Sequence, residues 1–260
     1  MAGIAVSKAI VTDRGFEHDR RWMLVDENNR FISQREIAEM ALMHIDILEK
    51  GLKVTYRPDA SSIMIPFEPQ TDEFAEVTIW DDTCTAQFVS HETDEWFSNI
   101  LGFKCRLVYM PDETQRITDP KYTPDGHVTS YADGYPFLLI GQASLDDLNN
   151  RLAEPLPMNR FRPSIVFNGG EAFSEDLMHT FTIGDIRFYG VKLCARCVMT
   201  TINQETIEQG KEPLKTLARY RFKNNKILFG QNLIHEGLGE IAVGDSIKLS
   251  QLHVEERFKI

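Results

Sequence analysis

Two of the four cysteines in the chain stand close together as Cys194-Ala195-Arg196-Cys197, within the stretch FYGVKLCARCVMTTINQETIEQGKEPLKTLARYR. Two thiols at this spacing, with a guanidinium between them, are compatible with four kinds of chemistry. The first is half of a structural zinc site, which needs a second close pair of Cys or His. Cys84 and Cys105 are far apart and neither has a His three or four residues away, which argues against zinc. The second is a thioredoxin-like redox pair opening a helix in a βαβ unit. The β-branched run VMTTI that follows argues against a helix start there. The third is two buried structural thiols, a common fate of free cysteine. The fourth is a thiolate that ligates a soft metal. Arg196 lies beside Cys197 and a neighbouring cation favours the charged sulfur. One protein sulfur suffices when a cofactor supplies most of the other ligands. Spacing alone leaves the third and fourth readings open.

The elements that must position these residues read mostly as strands. RRWMLVDENNRFISQRE is two extended runs around Asn28-Asn29, a hairpin pattern. MALMHIDILEKGLKVTYRPDASSIMIPF holds three short runs broken at Gly51 and at Pro58-Asp59, and AEVTIWDDTCTAQFVS reads as another hairpin. In TDEWFSNILG the period changes: Trp96, Phe97, Ile100 and Leu101 share a helical face and Gly102 is placed to stop it. From Cys105 to Asp133 periodicity is weak, and Pro111, Pro120, Pro124 and Gly126 mark a junction between two domains, 1–108 and 109–260. SLDDLNNRL reads as a helix with Ser144 as N-cap, Asp147 at the capping-box position, and Leu145, Leu148 and Leu152 on one face. Strands return at RPSIVFNGG and TFTIGDIRFYGVKLC. EPLKTLARYR is a short helix with Leu214, Leu217 and Tyr220 inward, and EIAVGDSIKLSQL reads as a closing hairpin around Gly244-Asp245. Many short strands with few helices, and no alternation of a doubly wound sheet, predict an α+β, mainly β fold rich in barrels.

At 260 residues with 42% hydrophobic residues the chain can bury a sizeable core. No apolar run is long enough to span a bilayer. MAGIAVSKAIVTDRG has no apolar core of the secretory type, so the expected compartment is cytoplasmic. A net charge of −11 is poorly suited to general nucleic-acid binding, which rests on neutralising phosphates. Four cysteines do not make a disulfide scaffold, so a special thiol must be special by its context.

Five blocks, RFRPSIVF, FSEDL, FTIGDIRFYGVKLCARCVMTTIN, KEPLKTLARYR and LFGQN, together resemble the MOSC family, named for the C-terminal domain of molybdenum-cofactor sulfurases. Upstream, GFEHDRRWMLVDENNRFISQRE is similar to the β-barrel domain that precedes MOSC in many members, among them YcbX-like proteins and amidoxime-reducing components. The resemblance keeps its order over nearly the whole chain. It implies an N-terminal MOSC-type β-barrel sub-domain, then a MOSC β-barrel domain with a few peripheral helices. It also implies a molybdenum–molybdopterin cofactor whose protein sulfur ligand is Cys197, with Cys194 a packing neighbour. The pterin phosphate calls for fixed cations and backbone donors, for which arginine is suited. The positions matching family contacts are Arg20, Asp133, Gly134, Arg162, Ala195, Arg196 and Asn232, although Asp133 also reads as a turn cap. Taken singly, any of these arginines reads as a solvated surface charge. Arg21, Arg35, Arg116 and Arg160 are read that way here.

Three departures accompany the resemblance. Family members begin with a strand and an IYPIKS-like motif, whose Lys and Ser contact the cofactor; these 260 residues open with MAGIAVSKAI instead. Met178 stands where tryptophan is usual, a packing substitution, and Asn203 where many relatives have Asp. The function implied is reduction of small N-hydroxylated compounds. No cysteine follows Cys197, so the electrons are expected from a separate donor protein. The alternative is a non-catalytic carrier of the molybdenum cofactor, or of sulfur, on Cys197. Neither nucleic acid nor membrane is expected as a partner.

Overall fold

The computed structural model describes residues 1–123, 125–254 and 257–258; Pro124 and the predicted domain end Ile260 lie outside the described residues. The chain divides into two compact units. One comprises Met1–Ala5, His18–Arg116 and Gln204–Ile207, the other Val6–Glu17, Ile117–Asn203 and Glu208–Ile260. The fold is α+β and mainly β, as the density of short strands implied. The first two strands, β1 (Lys8–Thr12) and β2 (Gly15–Phe16), belong to the second unit, where they pair antiparallel.

The first unit is built from β3 (Trp22–Val25), β4 (Met43–Leu48), β5 (Gly51–Tyr56), β6 (Ser62–Pro66), β7 (Phe74–Ile79), β8 (Asp82–Phe88), α1 (His91–Leu101) and β9 (Arg106–Tyr109). β4, β5 and β6 form an antiparallel meander, and the other strands a sheet ordered β3-β9-β8-β7. Alternate residues of these strands face inward. They pack with Phe97 into a cluster that includes Met43, Val54, Leu107 and Cys105. The predicted face of α1 turns to this cluster. The Ser90 side chain accepts the N–H of Thr93, and Gly102 ends the helix at φ 75°, a left-handed conformation that glycine adopts without strain. The hairpin expected around Asn28-Asn29 is only half formed. Its turn is present, with the Asp26 carboxylate accepting the N–H groups of Asn28 and Arg30. The second arm, however, is reduced to a single bridge, Val25 to Phe31, because the Phe31 N–H donates to Thr78 of β7. β3 takes β9 as its ladder partner instead.

The second unit continues with β10 (Phe137–Gly141), α2 (Gln142–Asn149), β11 (Ile165–Phe167), β12 (Met178–Ile183), β13 (Ile186–Ala195), α3 (Leu214–Leu217), β14 (Phe222–Lys223), β15 (Lys226–Glu236), β16 (Gly239–Ala242) and β17 (Ile247–Leu252). Its main sheet has seven strands, ordered β11-β10-β15-β13-β12-β17 with β14 paired to β15. β10 and β11 run parallel and α2 lies in the crossover between them, the one parallel pair in an otherwise antiparallel sheet. The apolar residues of α2 and Leu217 of α3 pack with Phe161 and Phe229. Between Gly190 and Lys192 the β13–β15 register shifts. A Cβ at Gly190 would stand 1.8 Å from Gln231 Nε2 and 2.2 Å from the Met178 carbonyl oxygen. Only glycine lets that side chain and that carbonyl meet, at 2.6 Å.

Two local expectations are corrected here. Ser144 is not an N-cap: α2 starts at Gln142, and the buried Ser144 hydroxyl donates to Glu175 at 2.8 Å while accepting the Phe173 N–H at 2.7 Å. The closing hairpin does not form. The turn at Gly244-Asp245 is there, with Asp245 accepting the Ala242 N–H, but β16 pairs with β1 and β17 with β12.

Candidate functional site

β13 carries Cys194 to the end of its ladder, and the extended backbone continues past it. Ala195 stands opposite Leu228, and the Arg196 N–H donates to Ile227 at 2.7 Å. Cys197 is itself extended, at φ −119° and ψ 179°, and a short 3-10 turn, Val198–Thr201, follows. The β13–β15 register shifts between Leu193 and Ala195, and Cys194 and Cys197 are both free thiols.

The turn is braced through its backbone. Thr200 donates its N–H and its hydroxyl to the Cys197 carbonyl, at 3.2 and 3.0 Å. Arg160, only 6% exposed, donates Nε to Thr200 O at 2.9 Å and Nη2 to Glu212 O at 3.4 Å. In return, Arg196 donates Nη2 to Phe161 O at 2.7 Å. Two arginines on two segments thus each bond a carbonyl of the other segment, which clamps residues 158–162 to residues 194–201. Burial pushes the Arg160 guanidinium below its ordinary value. Arg160 was expected to be an ordinary surface charge, and so was Arg116, which is 4% exposed and bonds Asp82 at 2.8 Å. Nothing in the sequence around either marks it for burial, because the acceptors come from distant segments.

Arg196 also donates Nη1 to Cys194 Sγ at 3.0 Å, a contact with the first cysteine of the motif. Its Nε is buried with no hydrogen-bond partner among the described residues. Cys194 and Cys197 are both half-buried. Cys84 and Cys105 are 6% and 1% exposed, and burial pushes both of those thiols up.

The remaining predicted positions divide between the units. Arg162 belongs to the clamped segment, half-buried and at φ 53°. Asn232 lies on β15, opposite Leu138 of β10 and Lys192 of β13. Asp133, exposed, and Gly134, half-buried, lie in the bends that lead into β10; a Cβ at Gly134 would meet no atom within 4 Å. Ala195 is exposed. These residues share the second unit with Cys197, whereas Arg20 is in the first, at φ 53° and ion-paired with Asp19. Sequence reasoning passed over Lys192, whose ammonium lies 4.4 Å from the Tyr122 ring centre and 3.6 Å from Asp119. Beside it, burial pushes the Tyr135 phenol up.

A cavity of about 560 Å³ in the second unit is lined by segments 6–9, 164–168 and 241–247, and by none of the residues just described. Among the described residues, no three or more His, Cys, Asp or Glu side chains are grouped to hold a metal ion, and no helix is long and apolar enough to cross a membrane.

Residues 1–104 match the MOSC N-terminal beta barrel domain, and residues 126–248 the MOSC domain. Mitochondrial amidoxime reducing component 2 of Rattus norvegicus is 32% identical over 94% of this chain and 78% of its own length. Mitochondrial amidoxime-reducing component 1 of Mus musculus is 29% identical over 95% and 78%. The molybdenum cofactor sulfurase of Arabidopsis thaliana is 33% identical over 90% of this chain, which spans 31% of that longer protein.

Proposed function

This chain belongs to the MOSC family, with a MOSC N-terminal beta barrel domain ahead of the MOSC domain, and from that premise we propose a molybdenum-cofactor oxidoreductase that reduces small N-hydroxylated compounds. The observation that carries the reading is the braced turn. The thiol of Cys197 is held at a half-buried position by bonds to its backbone, and a guanidinium Nε one residue away is buried without a partner among the described residues. Such an orphaned donor suits an anionic group, and a thiolate suits a soft metal. The residues present therefore fit the cofactor named by the relatives.

When bound, the cofactor supplies a two-electron reduction that cleaves the N–O bond, with oxygen leaving as water once two protons are added. The chain's own residues do the rest. Cys197 is the sulfur ligand. Thr200 holds the Cys197 carbonyl and Arg160 holds that of Thr200, so the backbone that carries the sulfur is fixed. Arg196 offers fixed positive charge, and its bond to Phe161 O keeps the guanidinium from swinging away. Arg20, Asp133, Gly134, Arg162, Ala195 and Asn232 are proposed cofactor contacts. The electrons come from a separate protein.

Protein made in a cofactor-competent host should contain about one molybdenum per chain, the stoichiometry of a single thiolate site. Cys197→Ser should abolish both the metal content and the reduction of benzamidoxime, while Cys194→Ser retains part of each. Equal loss in the two variants would sink the assignment of the ligand. The similarity to molybdenum cofactor sulfurase favours a second reading, a non-catalytic carrier of cofactor or sulfur on Cys197. Benzamidoxime turnover with an artificial electron donor separates the two.

A further inference from the structure

The chain is acidic overall, at −11, yet residues 211–226, KEPLKTLARYRFKNNK, hold four lysines and two arginines against one carboxylate, Glu212. The acidic residues Glu205 and Glu208 lie just before this stretch. Three of its charges have local tasks. Glu212 accepts the Thr216 N–H at 2.9 Å, Arg221 pairs with Asp176 at 2.6 Å, and Lys223 donates to Arg257 O at 3.0 Å. Lys211, Lys215, Arg219 and Lys226 are exposed, and none makes an ion pair among the described residues. Phe222, 55% exposed, stands among them. Four exposed cations without ion pairs and an exposed aromatic ring within sixteen residues have the composition of a recognition surface, in which aromatic residues and arginine anchor and charge orients.

This face is built on the same elements that hold the cysteine turn. α3 packs on Val198–Thr201. The β14–β15 hairpin presents Ile227, whose carbonyl accepts the Arg196 N–H at 2.7 Å, and Leu228 stands opposite Ala195. The cations therefore sit on segments that pair with, or pack on, the backbone that carries Cys197.

We propose that the surface formed by Lys211, Lys215, Arg219, Lys226 and Phe222 docks an acidic electron-carrying protein, bringing its redox centre to the cysteine turn. The clause about electrons rests on the reductase reading above; the choice of an acidic protein rests on charge. A cationic face on an otherwise negative molecule orients a compact acidic partner and speeds its encounter, while the remaining negative surface repels long polyanions.

The test uses a reduced plant-type ferredoxin as the acidic carrier and the full chain. Native protein should bind it, with affinity falling as ionic strength rises from roughly 20 to 200 mM. The variant Lys211→Glu/Lys215→Glu/Arg219→Glu/Lys226→Glu should bind about tenfold more weakly or worse. The same four positions changed to Gln should show a smaller loss. Lys50→Glu/Lys53→Glu/Lys104→Glu, three exposed lysines of the first unit, should change binding by less than about twofold. Ferredoxin-driven reduction of benzamidoxime should fall with binding in the four-site variants, while reduction driven by methyl viologen stays at the native level. Absence of viologen-driven turnover in native protein would remove the reductase reading and leave the docking result standing. Undiminished ferredoxin binding in the Glu variant overturns the proposal. So does an equal loss in the first-unit variant, or tighter binding of native protein to phosphatidylglycerol vesicles or duplex DNA than to ferredoxin.

Discussion

The interior around Cys105 in the first unit and the interior behind Cys197 in the second are built on different terms. Cys105 lies in a cluster of apolar side chains, and its nearest polar partner is Ser98, whose hydroxyl serves its backbone N–H and carbonyl. The second unit buries Arg160, Glu175, Asp176, Arg221 and His235 within its core region. Several of these charges lead to the cysteine segment. Asp176 holds Arg221, Arg221 donates Nε to Leu228 O at 3.0 Å, and Leu228 lies opposite Ala195. Apolar packing gives burial without direction, whereas hydrogen bonds to named carbonyls fix particular backbone atoms. The first arrangement seals a thiol. The second fixes the backbone on either side of one.

The contrast breaks most directly at Arg221. Arg221→Met leaves Asp176 buried and unpaired and should cost about 3–5 kcal/mol, read as a lowered urea midpoint. Joint replacement, Asp176→Leu with Arg221→Met, should recover most of that loss, because an apolar pair of similar bulk has no charge to desolvate. A loss below about 1 kcal/mol in the single variant would mean that the polar interior is ornamental to stability. Thiol chemistry sharpens the comparison on a smaller scale. Iodoacetamide with peptide mass spectrometry should modify Cys194 and Cys197 in folded, cofactor-free protein, and Cys84 and Cys105 only after unfolding. Early labelling of Cys105 would erase the distinction. The smallest effect is a pH dependence. His235, 6% exposed beside the rings of Phe137 and Phe188, is pushed below its ordinary 6.5 by burial. Its stabilisation is therefore present above about pH 6.5 and is lost as pH falls through the depressed folded value, where the unfolded chain binds the extra proton. His235→Phe should flatten that limb of the Tm–pH curve. Burial and the Arg257 charge likewise depress His253, which should leave a residual slope.

Elements whose signals are local were legible in the sequence. The β7–β8 hairpin and α1 carry their own turn and cap residues, and both form where the pattern placed them. β15 was not picked out as a strand. It lies at the middle of its sheet, buried on both faces over most of its length, so KILFGQNLIHE shows no alternation. The turn at Gly244-Asp245 was readable, but the partners of its two arms were not, since β1 and β12 are long-range choices. The same limit applies to the candidate site. The cysteine motif stands out in the sequence. The acceptors of Arg160 and Arg196 do not, because a guanidinium looks alike in sequence whether it meets water or a carbonyl forty residues away.

Gly190 and Gly134 illustrate how unevenly this part of the molecule tolerates change. At Gly190 even a methyl group would collide with Gln231 and with the Met178 carbonyl, so genetic drift there is closed to every other amino acid. At Gly134 the surrounding space is open and the backbone needs no special handedness, so variation at that codon is governed by whatever the bend must touch, and the fold itself sets no veto.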